Sequence, residues 1–361
     1  MNHSNLESLM KLHLSTGQPV LDQFMLSQSD DALTAVWDYG ASPYALGDTL
    51  TWSMLSSIEA LNAGKKFFDV CTIVHREKPN SSLQPYINSN NYQFFLIDVL
   101  PAFFVNPMLR DFHLYQDRES LEMELFYKNI TGQVMFPDFK EHISAFRKAY
   151  GLYNSHDTIN AFFEKNGFIP RLKVPVGYQT WARDFLKNHN PHSNYVCIHL
   201  RNRGQHKDQT LAELYRDGDF ELWLEFFDIA YSKYPNVKFV ILGRPMEWPR
   251  AYFQRQNLLI LKSFGYGLLE ELAMIGECDF FMATNSGPGV MAIFGEKPYV
   301  LFQPDENAVY TAKVYGIEPG QTRLPFALPE QSICWKIPEL EDLLDTLDHH
   351  LAVISGKENR R

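Results

Sequence analysis

The sequence predicts an α/β chain with two doubly wound parallel sheets facing a central cleft. Three observations predict it. Short apolar runs such as "VKFVILG" and "CDFFMAT" alternate with amphipathic stretches, the pattern of strands buried on both faces with helices between them. The length of 361 residues is too great for one ordinary core and suits two. A polar, proline-containing break, "LKNHNPHSN", interrupts the pattern at 186–194.

Residues 1–30 are polar with weak helical spacing and read as an N-terminal extension. From Leu33 the order is strand ("LTAVWDYG"), loop ("ASPYALGD"), helix ("TLTWSMLSSIEALNAG") and strand ("KKFFDVCTIV"). Leu50, Met54, Leu55, Ile58 and Leu61 recur at helical spacing, and Gly64 suits the helix C-cap. "NYQFFLIDVL" supplies a further element, and 105–170 read as a less regular insertion. The first domain is expected over 31–188 and the second over 189–335. In the second, strands at "YVCIHL", "VKFVILG", "LLILKS", "CDFFMAT" and "PYVLF" alternate with helices at "DFELWLEFFDIAYSKY", "YGLLEELAMIGE" and "PGVMAIFG". "IPELEDLLDTLDHHLAVI" closes the chain as an amphipathic helix within 336–361.

Hydrophobic residues at 45% and charged residues at 21% describe a globular protein, not a disordered one. A net charge of −10 excludes a general nucleic-acid binder, which needs a basic face to release counterions. A local arginine cluster can still hold a small anion. Cys71, Cys197, Cys278 and Cys334 are far apart in mostly apolar runs, so reduced core thiols are expected and no zinc spacing is present. The N-terminus carries no secretory pattern, and "FFLIDVLPAFFVNPML" is too short to span a bilayer, so a cytoplasmic protein is expected.

In open α/β sheets ligands bind beyond the carboxyl ends of strands, so the candidates come from strand-to-helix loops. The foremost is "CDFFMATNSGPGVMAIFGEKPYVLF". There Thr284, Asn285, Ser286 and Gly287 offer hydroxyls and backbone N–H groups, and Pro288 suits the first helical turn. A phosphate would be favoured at that helix start; plain N-capping by Asn285 or Ser286 is the alternative. In "CIHLRNRG", His199 and Arg201 stand at a strand tip with Arg203 and Lys207 following, a set suited to a diphosphate or else a solvated basic loop. A solvated Arg201 would contribute little to stability. In "YGASPYALGDTLTW", Asp48 serves either as a helix cap or as a general base. After "VKFVIL", Gly243 allows a tight exit, and Arg244 and Glu247 lie where a base or ribose would sit. Asp217 and Asp219 in "YRDGD" read as helix caps, and no acidic pair with metal geometry stands at a strand end.

These loops in this order resemble a GT-B glycosyltransferase, with two Rossmann-like domains of which the second holds a nucleotide sugar. "YALGDTL" resembles the Gly-Asp loop of the ADP-heptose-type lipopolysaccharide heptosyltransferases. "VILGRPME" and "CDFFMATNSGPGVMAIFGEKPYVLF" are similar to that family's donor-domain strand and phosphate loop. "CIHLRNRG" resembles the His-x-Arg motif of GDP-fucose-using fucosyltransferases. Two departures are Asn285 in place of the family's usual Asp and Val290 or Met291 where a His is usual. The resemblance implies a metal-independent, inverting glycosyltransferase in which Asp48 is the base. Arg201, His199 and the 284–287 loop would then meet the departing diphosphate. It implies no cofactor, a nucleotide-sugar donor as substrate, and a glycan or lipid-linked acceptor on the side of the first domain, with peripheral membrane association through that acceptor. A GT-B-fold nucleotide-sugar epimerase and a two-domain sugar- or nucleotide-binding protein are the alternatives. The first would need added carboxylates facing the sugar.

Overall fold

The computed structural model describes residues 31–40, 42–74, 84, 87–137, 155–201, 217–243, 248–303 and 308–358. Strand β1 (Ala32–Asp38), helix α1 (Leu46–Asn62) and strand β2 (Phe67–Ile73) open the chain. Helix α2 (Tyr92–Ile97), a 3₁₀ turn (Leu100–Val105), strand β3 (Leu109–Tyr115), helix α3 (Arg118–Ile130) and strand β4 (Met135–Phe136) follow. All four strands are parallel, in the order β3-β2-β1-β4. Gly64, at φ 70°, lies just past the Ala63 C-cap of α1, where only glycine adopts the left-handed turn without strain.

The region expected to be an irregular insertion, 105–170, therefore supplies two strands, β3 and β4, and two helices, α3 and the one at Ser155–Asn166. β3 carries arginine, aspartate and histidine and is largely exposed, as suits a sheet edge. An edge strand lacks the continuous apolar run by which the central ones announce themselves.

Helices α4 (Ser155–Asn166) and α5 (Val176–His189) lead into β5 (Asn194–His199), α6 (Phe220–Lys233), β6 (Val237–Leu242), β7 (Leu258–Ile260), α7 (Leu268–Glu277), β8 (Phe280–Thr284), α8 (Gly287–Phe294) and β9 (Tyr299–Phe302). Then come α9 (Ala308–Val314), β10 (Gln331–Cys334) and α10 (Leu340–Glu358). The second sheet is parallel throughout, in the order β10-β9-β8-β5-β6-β7. The order reverses between β5 and β8, so a crevice opens at their carboxyl ends.

One face of this sheet packs on α6 and α10 through Val196, Ile198, Phe226, Phe239 and Leu343. The other face shares its core with α7, α8 and, from the first half of the chain, Leu50, Met54 and Ile58 of α1. Trp52 of α1 packs instead into the core of the first sheet, at 5.2 Å from Trp37. Helix α1 is thus buried nearly all round because it serves two cores. Its serines do not strand polar groups: Asn106 donates to the Ser53 carbonyl and hydroxyl and to the Ser57 hydroxyl. Helix α5 packs on α7 and runs on through residues 186–189, the first part of the break expected at 186–194, where Leu186 is buried. None of the four cysteines forms a disulfide, and three are buried.

Candidate functional site

Strand pairing fixes the tips of the second sheet. His199 lies opposite Ala283 of β8 and Leu242 of β6, and Thr284 lies opposite Phe302 of β9. The expected loops therefore converge on one edge. Alternation then sorts their side chains. Tyr195 and Cys197 of β5 face the shared core with α1 and α8, so His199 faces that side. Tyr299 and Leu301 of β9 do the same, so Gln303 continues there.

Helix α8 starts at this edge. Its N-cap is Ser286, yet the Ser286 hydroxyl makes no capping hydrogen bond and is buried without a partner. Plain capping by Ser286 is therefore not what the structure contains. Gln303 is 1% exposed, and neither atom of its amide has a partner. His199 Nδ1 is likewise buried and unpartnered. Three buried polar groups thus share one side of the strand tips without hydrogen bonds, an arrangement expected to be expensive unless a ligand or water completes it.

Helix α1 begins against α8. A Cβ on Gly287 would stand 3.0 Å from Leu46 Cβ and 3.1 Å from the Gly47 nitrogen. One on Gly47 would stand 3.3 Å from Val290 Cγ2 and 3.4 Å from Gly287 Cα. The two helix starts meet backbone to backbone, most tightly at Gly287, where a Cβ would press on the Gly47 backbone, whereas one on Gly47 would press on the Val290 side chain. Two positive helix ends are thereby brought together, a setting that favours an anion. Asp48 lies in the first turn of α1 and is half-buried. The α1 N-cap is Ala45, so Asp48 is not the cap residue.

Arg201 is only 9% exposed, which corrects the expectation of a solvated strand tip. Its backbone N–H donates to Thr284 Oγ1 at 3.0 Å, and its Nε lies 4.0 Å from Asp217 Oδ1. Asp219 does cap α6, accepting from the Glu221 and Leu222 N–H groups, whereas Asp217 stands beside the arginine. Burial drives the His199 pKa down to about 3, and the Lys262 ammonium and Arg201 guanidinium add to the effect. His199 is therefore a neutral hydrogen-bonding group at neutral pH.

Thr284 is committed to the β5 tip and turns to the opposite face. There it lines a cavity of about 330 Å³ with Asp217, Leu222, Trp223, Phe302 and Lys336. Gly243, at φ 115°, makes the tight exit from β6 that only glycine tolerates, and its N–H donates to Glu271 Oε1 at 2.7 Å. Asn285 precedes the N-cap residue, Ser286, and is not itself the cap. Arg203, Lys207, Arg244 and Glu247 lie outside the described residues.

Sequence reasoning missed Lys262, Glu271 and Gln303. Lys262 and Gln303 each follow an apolar strand, so the strand-tip rule that selected Arg201 reaches them too. Glu271 sits within an amphipathic helix, where nothing in the pattern marks it as buried. Among the described residues no group of three or more His, Cys, Asp or Glu side chains could hold a metal ion, and no helix is long and apolar enough to cross a membrane.

No protein-family model and no curated protein matches the chain. Solved structures do. The chain is similar to a glycosyl transferase family 9 protein from Veillonella parvula, with 11% identity over 89% of this chain and 97% of that one, at a TM-score of 0.52. It is similar to E. coli ADP-heptose lps heptosyltransferase II, with 12% identity over 90% and 99% of the two chains, at a TM-score of 0.53. The fold is GT-B. A further match, the fucosyltransferase NodZ from Bradyrhizobium, has a TM-score of 0.36 and 11% identity over 73% of this chain and 92% of that one, too loose an overlay to carry an argument. At these identities the likeness concerns the fold alone. Function has to be argued from the site.

Proposed function

We propose that the protein is an inverting, metal-independent glycosyltransferase that moves a sugar from a nucleotide-diphosphate donor to an acceptor hydroxyl. The observation that carries this reading is the uncapped start of α8 meeting the start of α1 beside His199 and Arg201. Two structures with which the chain shares its fold are by name a glycosyl transferase and a heptosyltransferase, which fits it.

In this mechanism the diphosphate lies at the crevice between β5 and β8, with its charge toward the α8 N-terminus. Asp48 accepts the proton of the acceptor hydroxyl as that oxygen attacks the anomeric carbon. The bond from that carbon to the diphosphate breaks, and the electron pair leaves with the phosphate oxygen. Arg201, the first-turn N–H groups of α8 and the neutral His199 meet the developing charge, a role worth a few kcal/mol per donor. The acceptor, a glycan or a lipid-linked glycan, approaches from the first domain, where Asp48 stands. A metal is not needed because helix ends and cations supply the neutralisation.

The test is to incubate the protein with a panel of nucleotide-diphosphate sugars and candidate acceptors in EDTA and to analyse the products. Release of nucleoside diphosphate with inversion at the anomeric carbon is expected. An epimerised sugar, or turnover that needs a divalent cation, would overturn the mechanism.

A further inference from the structure

Beside the site lies a cation that none of the loops discussed above contains. Lys262 follows β7, in a 3₁₀ turn over Leu261–Phe264, and its side chain is 17% exposed. Its ammonium lies 3.4 Å from Glu271 Oε2 and 3.9 Å from Asp98 Oδ1. Glu271 belongs to α7 and Asp98 to the segment after α2, so the lysine is held between the two halves of the molecule. It is also near enough to His199 to oppose protonation of that ring.

Glu271 is 4% exposed, and burial raises its pKa to about 7 against the opposing pull of Lys262. Its other oxygen is engaged by the Gly243 N–H. Near neutral pH the carboxylate therefore offsets Lys262 only in part. Lys262 and Arg201 are the cations that act on the His199 ring, and they pair in turn with Glu271 and Asp98 and with Asp217. An anion brought to His199 would meet both cations.

We propose that Lys262 is a further anion-binding residue of the site, reaching the diphosphate from the β7 side in competition with Glu271 and Asp98, which hold its ammonium in the free protein. This rests on the diphosphate reading above and extends it from the β5–β8 crevice across the tip of β6. Gly243 follows β6 at that tip, presents no side chain of its own, and through its N–H holds Glu271, the partner of Lys262, against the strand end. Asp98 gives the arrangement a second consequence: a ligand that draws Lys262 toward His199 draws it from the first half of the molecule.

Calorimetric titration of inorganic pyrophosphate, in EDTA at pH 8, into wild type, Lys262→Met, Lys262→Arg, Glu271→Gln and Arg201→Ala tests the proposal. Lys262→Met should bind about 10–100-fold more weakly, as loss of a charge-assisted contact implies, with Lys262→Arg closer to wild type. Glu271→Gln should bind several-fold more tightly, because the competing charge is gone. A merely structural glutamate would give weaker binding. Should Lys262→Met fail to fold with Glu271 stranded, the Lys262→Met/Glu271→Gln double variant removes that buried charge and keeps an acceptor for Gly243. In NMR titrations the His199 midpoint should rise in either Lys262 deletion without any ligand. Pyrophosphate affinity within two-fold of wild type in a folded Lys262 deletion, with affinity lost in Arg201→Ala, would overturn the role of Lys262 and leave the diphosphate site standing. No binding by wild type would overturn both.

Discussion

Helices α3 and α6 begin on aspartates that bond their first turns: Asp117 accepts from the Ser120 N–H at 2.7 Å, and Asp219 from Glu221 and Leu222 at 3.1 Å each. Helices α1 and α8 begin on Ala45 and Ser286, and neither side chain caps. The first pair end in solvent, where a cap replaces water. The second pair meet at glycines, beside the neutral His199 and the buried Arg201. A cap and a ligand compete for the same N–H groups, so an uncapped start built against another uncapped start is the arrangement expected of an anion site.

The contrast can be broken at several points. The largest effect is expected from Asp48→Asn, which should lower turnover about 10²–10⁴-fold while leaving donor affinity in place. Steady-state kinetics alongside donor titration check it; retained specific activity in a protein that melts early would make Asp48 a helix-stabilising residue and no more. Arg201→Ala should reduce turnover about 10²–10³-fold, and Arg201→Lys less, because lysine keeps the charge but not the planar fork. Since Arg201 is buried beside Asp217, its removal should also lower the melting temperature.

Gly287→Ala probes the contact between the helix starts. The new methyl group meets the Gly47 backbone at 3.1 Å, which cannot swing aside as a flexible side chain would. A loss of about 1–3 kcal/mol in denaturant unfolding is expected. An acid titration supplies a control remote from the ligand. His156 is buried, stacks on Phe294 with ring centroids 5.5 Å apart, and is held by burial at a pKa of about 4. The unfolded state therefore takes up this proton first. Stability from this group is complete above about pH 6.5 and falls by roughly 1.4 kcal/mol per pH unit toward pH 4. Unfolding midpoints that hold steady over that range would contradict the assignment.

The smallest effects sharpen the contrast most. Asp219→Ala should cost about 1 kcal/mol of stability, as cap removal does, without touching nucleotide affinity. Ser286→Ala should do the reverse, leaving stability within about 0.5 kcal/mol while weakening nucleotide binding a few-fold.

Much of this architecture is legible in the sequence. The central strands are continuous apolar runs, and the strand-tip rule finds His199, Arg201 and the 284–287 turn before any coordinates. The helix at 46–62 begins three residues earlier than its apolar pattern indicates, because Gly47 and Asp48 look like loop and are the first turn. β3 and β10 were hidden by their edge positions, where a strand lacks the continuous apolar run of a central one. The contact of Gly47 with Gly287 joins residues 240 positions apart in sequence, and no local pattern reports such a pairing. The burial of Arg201 and Glu271 is equally tertiary in origin, since a charged residue at a strand tip or on a helix reads as exposed until its neighbours are known.

The most direct measurement is calorimetric titration of ADP, GDP, UDP, CMP and dTDP into the wild-type protein in the presence of EDTA. Saturable binding of at least one nucleoside diphosphate, weakened in Ser286→Ala and Arg201→Ala, is the predicted result. A folded protein that binds none of them, or binds only when a divalent cation is restored, would contradict the reading of the two helix starts as a metal-independent diphosphate site.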